Sequence, residues 1–191
     1  VTGGAGFLGL HLANELLSRG IDVVVADIVG ASPHSLGKKA EFIECDLTRP
    51  EQLNALPRNV AVVYHLAALS SPFACEQRPD LAFKLNVQAT YNVLRFCVES
   101  SAKKIVFPSA AHIYGDHPQY LPIDEKHPVD MASHVYNATK KICEDMCRSF
   151  YENHNLDYVT FRLFNVYGPG KSTDFFIPSI ITQGLSSHRI T

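Results

Sequence analysis

An α/β fold with a doubly wound parallel sheet is what this 191-residue sequence predicts. Helix-length and strand-length patterns alternate along the chain, which argues for parallel strands joined by crossover helices. The opening residues Val1-Thr2 read as the end of a strand and run straight into a glycine-rich turn, Gly3-Gly4-Ala5-Gly6-Phe7-Leu8-Gly9. A later run, Val60-Ala61-Val62-Val63-Tyr64-His65-Leu66, is almost continuously apolar, as expected of a strand covered on both faces.

The elements follow in order. A helix is predicted from about Gly6 to Arg19, with Leu8, Leu12, Leu16 and Leu17 on or near one face and Gly20 as its stop. Strand 21–26 comes next and Asp27 closes it. Glu41–Cys45 is a short strand leading into Asp46-Leu47-Thr48, where Asp46 or Thr48 is expected to cap a helix that has Pro50 near its first position. After the strand at Val60–Leu66, a long helix is predicted from about Asp80 to Ser100. Lys104–Phe107 is a strand expected to break at Pro108, and residues 111–132 read as a loop over the active face. A helix from about Ser133 to Asn153 and a strand Tyr158–Leu163 complete the pattern, which changes at Gly168-Pro169-Gly170. Residues 1–167 are therefore read as one domain and 168–191 as the start of a smaller, substrate-binding one. The chain starts at Val1 without a methionine, so most of the first strand is expected to be missing, and a further segment is expected beyond Thr191.

Composition narrows the function. The net charge is only −2, which gives no electrostatic case for nucleic acid or an anionic membrane. No apolar run approaches the length of a membrane span. Five cysteines with no repeated spacing argue for a reducing, cytoplasmic compartment rather than a disulfide framework. Cys143 and Cys147 lie one helical turn apart but have apolar neighbours and no further ligands at zinc spacing, so no metal is expected.

Two motifs carry chemistry. Gly4, Gly6 and Gly9 fit G-x-G-x-x-G, and Thr2, Gly3, Gly6 and Gly9 fit T-G-x-x-G-x-x-G. Such a turn lets backbone N–H groups approach a pyrophosphate at the positive end of a helix dipole. Asp27 stands where a dinucleotide fold places its ribose-binding carboxylate. The second motif is Tyr136-Asn137-Ala138-Thr139-Lys140. Positions four apart share a helix face, so Tyr136 and Lys140 point the same way. A phenol has a pKa of about 10; a nearby ammonium is expected to lower it and to make the pair a general acid/base on a hydroxyl or carbonyl.

Together these residues resemble the extended short-chain dehydrogenases/reductases, in the NAD-dependent nucleotide-sugar epimerase/dehydratase branch of UDP-glucose 4-epimerase type. The resemblance covers essentially the whole chain. It rests on Thr2 to Gly9, Asp27, Asp46-Leu47, His65-Leu66-Ala67-Ala68, Asn86-Val87, Ile113-Tyr114-Gly115, Tyr136 to Lys140, and Arg162-Leu163-Phe164-Asn165-Val166-Tyr167-Gly168-Pro169. It implies a Rossmann-like fold with NAD as cofactor. In that reading Gly3, Gly6, Phe7 and Leu8 wrap the pyrophosphate, Asp27 holds the adenosine ribose, and Asp46 and Leu47 border the adenine. Leu66, Ala67 and Ala68 line the cleft, and Asn86, Phe164 and Val166 belong to the cofactor set. Tyr136 is the acid/base, Lys140 also holds the nicotinamide ribose, and Asn165 meets the nucleotide sugar. The resemblance further implies a homodimer built on the helices near 80–100 and 133–153. Val93, Phe96, Cys97, Ile142, Met146 and Phe150 are their apolar positions, and these fit packing on the sheet equally well.

Two departures from the family pattern bear on the reaction. The family usually carries a Ser or Thr four residues before the Tyr of its Tyr-Gly pair; here that position is Ala110, with Ser109 beside it. Neighbouring strand residues face opposite ways. Three readings stand: a local shift brings Ser109 into the site, a water or substrate hydroxyl substitutes at reduced rate, or the protein binds NAD without turning over a sugar. One lost hydrogen bond to the reacting oxygen costs about 2–4 kcal/mol, which slows catalysis without abolishing it. The acidic residues common in dehydratases and decarboxylases are replaced by Ala111 and His112. The expected activity is therefore 4-epimerisation of a nucleoside-diphosphate sugar through a 4-keto intermediate. The alternatives are a 4,6-dehydratase or 4-keto reductase of the same family, and an NAD-binding regulatory protein.

Overall fold

A computed structural model describes residues 1–28, 36–37, 40–130 and 134–187. The end of the predicted loop at 131–132, the expected helix start at Ser133 and the last residues of the 168–191 segment lie outside them. Five strands are present among the described residues: β1 (Val24–Asp27), β2 (Glu41–Glu44), β3 (Val62–Tyr64), β4 (Lys104–Ala110) and β5 (Asp157–Leu163). All their pairings are parallel. Thr2 bridges both Ala26 and His65, donating its N–H to the Tyr64 carbonyl and accepting from the Leu66 N–H. The order is thus β2-β1-(Val1-Thr2)-β3-β4-β5. That is the order of a dinucleotide-binding doubly wound sheet, with the glycine turn leaving its centre.

Helices cover both faces, as adjacent residues of β1 show. Val25 packs with Ala13 of α1 (Phe7–Ser18). Ala26 belongs to the larger core with Val93 of α4 (Ala89–Glu99) and Cys143 of α5 (Val135–His154). Helix α1 ends as predicted, with Gly20 in the left-handed region at φ +75°.

Several boundaries differ from expectation. Strand β1 begins three residues later than predicted. Neither Asp46 nor Thr48 caps the next element, a 3-10 helix at Pro50–Ala55. Asp46 instead accepts from the Thr48 N–H and hydroxyl in a tight turn. Pro108 does not break its strand: β4 runs through to Ala110. The Val106 carbonyl accepts from His65 N–H, so the backbone of Pro108 faces the same neighbour, and β3 has ended by then. No ladder donor is needed from Pro108. A short helix not anticipated from the sequence, α2 (Pro72–Gln77), starts at Ser71, whose hydroxyl accepts from Ala74 N–H. The long helix before β4 is continuous but not uniform: α3 (Pro79–Ala82) leads through a π-helical segment, Phe83–Gln88, into α4. The segment beyond Gly168 carries α6 (Phe176–Ser187). No helix among the described residues is long and apolar enough to cross a membrane.

Candidate active site

Two cavities meet at the carboxyl ends of the central strands. The first, about 620 Å³, lies over the glycine turn. Gly3 has φ +65°, and a Cβ there would stand 2.5 Å from the Ala67 nitrogen. A Cβ on Gly9 would stand 2.1 Å from the Gly3 carbonyl oxygen. Glycine is required at both positions, because the turn touches the Leu66–Ala67 backbone on one side and the start of α1 on the other. Gly6 is the N-cap of α1 and brings no side-chain cap, leaving the positive end of the helix open to the cavity. Asp27 is held at the rim: one oxygen accepts from Ala5 N–H (3.0 Å), the other from Ile28 N–H (2.8 Å). Asp46 and Leu47 form the far wall, and Leu66, Ala67 and Ala68 the near one. Burial opposes ionisation of Asp46, but its Thr48 hydrogen bonds outweigh this and hold it below the usual carboxylate value. The arrangement can take a phosphate on backbone N–H groups and a hydroxylated ring at Asp27.

Asn86, expected in the cofactor set, is not among the residues lining this cavity and stands behind its near wall. Its Oδ1 accepts from Leu69 N–H (2.7 Å), and its Nδ2 donates to the Thr139 hydroxyl (3.0 Å) and the Leu69 carbonyl. It is buried and locks the 66–71 loop to α5. Beside it, His65 links Thr2 to Thr90. The Thr90 hydroxyl donates to the Asn86 carbonyl (2.5 Å), so His65 Nε2 must donate to Thr90 and Nδ1 must accept from Thr2. Burial pushes the His65 pKa down to about 3, which keeps the ring neutral.

The second cavity, about 480 Å³, holds Tyr136, Lys140, Ala110, His112 and Asn165. Helix α5 is capped from outside, because Glu76 of α2 accepts from Val135 N–H at 2.7 Å. This fixes the turn that carries Tyr136. One turn on, Lys140 is buried and donates to the Pro108 carbonyl at 2.8 Å. Its Nζ lies 4.7 Å from the Phe107 ring centre and 5.9 Å from that of Tyr136. The expected electrostatics differ here. Burial pushes the Tyr136 phenol up to about 12 and Lys140 down to about 8. Desolvation outweighs the attraction of the ammonium for a phenolate, so at neutral pH Tyr136 is a neutral phenol and Lys140 a cation.

Ala110 belongs to a buried cluster with Tyr136, Cys75 and Ala82. Ser109, the expected catalytic hydroxyl, lines the same cavity as Tyr136; it pairs in register with Arg162 of β5, and its hydroxyl is buried with no hydrogen-bond partner among the described residues. Position 110 thus brings a methyl group and no hydroxyl to the cavity that holds Tyr136, and Ser109 makes no hydrogen bond to the phenol. Arg162 donates to both Glu144 oxygens (3.0 and 2.9 Å) and to the Tyr114 hydroxyl (3.0 Å). It ties β5, α5 and the Ala111–Tyr114 turn together. His112 is on that turn, with its ring centre 6.2 Å from that of Tyr136.

Phe164 and Val166, expected in the cofactor set, line the second cavity with Asn165 and not the first. Cys143 and Cys147 are buried in the core. Val93, Phe96 and Cys97 also pack there, whereas Ile142 stays exposed. The sequence reading misses Lys171, which lines both cavities, and Ser70 and Pro72. The Ser71-Pro72 pair is a helix-start signal that points to the latter.

All 191 residues match the family model for the NAD dependent epimerase/dehydratase family. The chain is 33% identical over 173 residues to a putative UDP-glucose 4-epimerase of Methanocaldococcus jannaschii, covering 88% of this chain and 55% of that protein. It is 31% identical over 199 residues to UDP-glucuronic acid decarboxylase 6 of Arabidopsis thaliana, covering 100% of this chain and 57% of that protein. The crystal structure of the Thermus thermophilus UDP-glucose 4-epimerase in complex with NAD superimposes with a TM-score of 0.84 at 31% identity, over 90% of this chain and 56% of that one. The chain thus spans about half the length of the curated relatives it matches. With its strand order, its glycine turn and its Tyr–Lys pair in place, the chain belongs to the NAD-dependent epimerase/dehydratase family.

Proposed function

We propose that the protein is an NAD-dependent enzyme acting at C4 of a nucleoside-diphosphate sugar, and that the reaction is 4-epimerisation. The observation that carries this reading is the junction of two cavities, one walled by the glycine turn and Asp27, the other by Tyr136, Lys140 and Asn165. The first cavity fits NAD: an uncapped helix start, a turn with no room for Cβ atoms and a carboxylate at the rim. Gly3, Gly6, Phe7 and Leu8 would hold the pyrophosphate, Asp27 the adenosine ribose, and Asp46 and Leu47 the adenine. When bound, NAD supplies a hydride acceptor that can return what it takes.

The chain's own residues do the rest. Tyr136 exchanges a proton with the C4 oxygen, and its neutral phenol is ready to donate to a 4-keto group. Lys140 would hold a ribose hydroxyl of the dinucleotide, and its charge lowers the cost of a transient phenolate. Asn165 contacts the substrate. Residues 1–167 form the cofactor-binding domain and 168–191 open the substrate-binding one. A cytoplasmic homodimer is part of the same reading, and the exposed Tyr91, Ile142 and Tyr151 on α4 and α5 favour it.

A second reading has an observation of its own. Ala110 removes a hydroxyl from the reacting oxygen, which favours weak catalysis or NAD binding alone. Similarity to both an epimerase and a decarboxylase leaves other reactions of the family as outcomes of product analysis. The deciding experiment is Tyr136→Phe in the full-length parent protein. Turnover should fall at least about a hundredfold while NAD affinity is unchanged. Unchanged turnover would remove the assignment. Ala110→Ser then separates an enzyme of reduced rate, which it accelerates, from a binding protein, which stays inactive.

A further inference from the structure

Lys171 is, among the described residues, the one charged side chain that lines both cavities. The other charged residues around the first cavity, Asp27 and Asp46, are acidic. Among the described residues, then, a cavity that is to hold a pyrophosphate draws its sole side-chain cation from this lysine.

The loop that carries Lys171 is fastened to the first turns of α1. His11 Nε2 donates to the Pro169 carbonyl at 3.0 Å. Gly168 lies alongside Phe7: a Cβ there would make an ordinary van der Waals contact with the ring at 3.6 Å. Lys171 N–H donates to the Gly168 carbonyl at 3.2 Å. The ammonium then sits 5.1 Å from the ring centre of Phe7 and 3.8 Å from that of Phe175. Phe7 directly follows the Gly6 cap, so the cation is held beside the open helix start.

Aromatic faces hold the lysine, but no carboxylate lies within ion-pair distance of it among the described residues. Asp174, the nearest acid in sequence, accepts from the Ser172 hydroxyl. Partial burial lowers the Lys171 pKa, and π faces compensate an ammonium only in part. A cation so placed, with a positive helix end beside it, selects an anion and not a neutral sugar.

We propose that Lys171 is an anion-binding residue that takes a phosphate oxygen at the junction of the two cavities. This rests on the reading of the cavities as nucleotide sites. Two sources offer the same chemistry: the pyrophosphate of the dinucleotide, and the diphosphate of the nucleotide sugar.

The test uses the full-length parent protein, Lys171→Met and Lys171→Arg. Calorimetric titrations are made with NAD, and with UDP, dTDP and GDP on NAD-saturated protein, at low and high salt. In the Met variant one ligand class should bind about tenfold more weakly, with a flatter salt dependence, and Arg should restore it. A loss confined to NAD assigns the cation to the dinucleotide; a loss confined to a nucleoside diphosphate assigns it to the sugar nucleotide. Unchanged affinity for every ligand overturns the proposal and leaves the functional reading intact. Failure of the unmodified protein to bind NAD and all three diphosphates overturns both.

Discussion

The cavity above the glycine turn is built from backbone, and the cavity around Tyr136 from buried side chains. In the first, the shape depends on absent atoms: Cβ groups at Gly3 and Gly9 would strike other backbone. In the second, it depends on groups drawn out of water and then satisfied one by one. Lys140 finds the Pro108 carbonyl, Asn86 finds Leu69 and Thr139, and Glu144 finds Arg162. The first design tolerates no added carbon at Gly3 and Gly9. The second stores electrostatic cost at the residues meant to react.

Substitutions should separate the two designs, and the largest effect falls on the backbone-built half. Gly9→Ala forces a Cβ onto the Gly3 carbonyl and should cost about 3 kcal/mol or more, since neither partner can swing away. Gly20→Ala is the control: it has open space around it and only a positive φ, so its cost should be about 1 kcal/mol. Urea denaturation of the full-length protein reads both, and equal losses would mean that the turn relaxes.

Asn86→Ala next probes the 66–71 loop, whose Leu66, Ala68 and Ser70 line both cavities. It leaves the half-buried Leu69 N–H unpaired and removes one of the two hydrogen bonds of the buried Thr139 hydroxyl, at a cost of about 1–3 kcal/mol. It should also loosen the 66–71 loop, seen as faster amide exchange there. A stable variant with an unchanged exchange pattern would show that the loop is held by something else.

A third effect, smaller than those of Gly9→Ala and Asn86→Ala, has the opposite sign. Burial lowers Lys140 to about 8 from an ordinary 10.5, so between those values the folded chain binds fewer protons than the unfolded one. Stability therefore rises as pH climbs through that window, and the full penalty applies below it. Lys140→Met removes the penalty but leaves the Pro108 carbonyl unpaired. It should stabilise the protein at pH 7 by about 1–2 kcal/mol and abolish the rise above pH 8. A destabilised variant would show that the lysine is structural first.

The same contrast explains what is legible in the sequence. The turn at Gly3 and Gly9 is legible because close backbone approach is a local demand written in residue type. The alternation of elements likewise points to the parallel sheet. Pro108 misleads, because whether a strand survives a proline depends on where its neighbour ends, and β3 ends at Tyr64. The hydrogen bonds of Asn86 are not legible either, because its partners lie 17 and 53 residues away. The Tyr136–Lys140 spacing is readable, yet the sign of the phenol's shift is not. Spacing gives proximity, whereas desolvation depends on everything packed around the pair.

The most direct test is to incubate the full-length parent protein with NAD and a panel of UDP-, dTDP- and GDP-sugars, following products by NMR. The account predicts a C4 epimer of one sugar with no net NADH. No product from any sugar, with NAD still bound, would contradict it and leave Ala110 as the mark of a protein that binds the cofactor without using it.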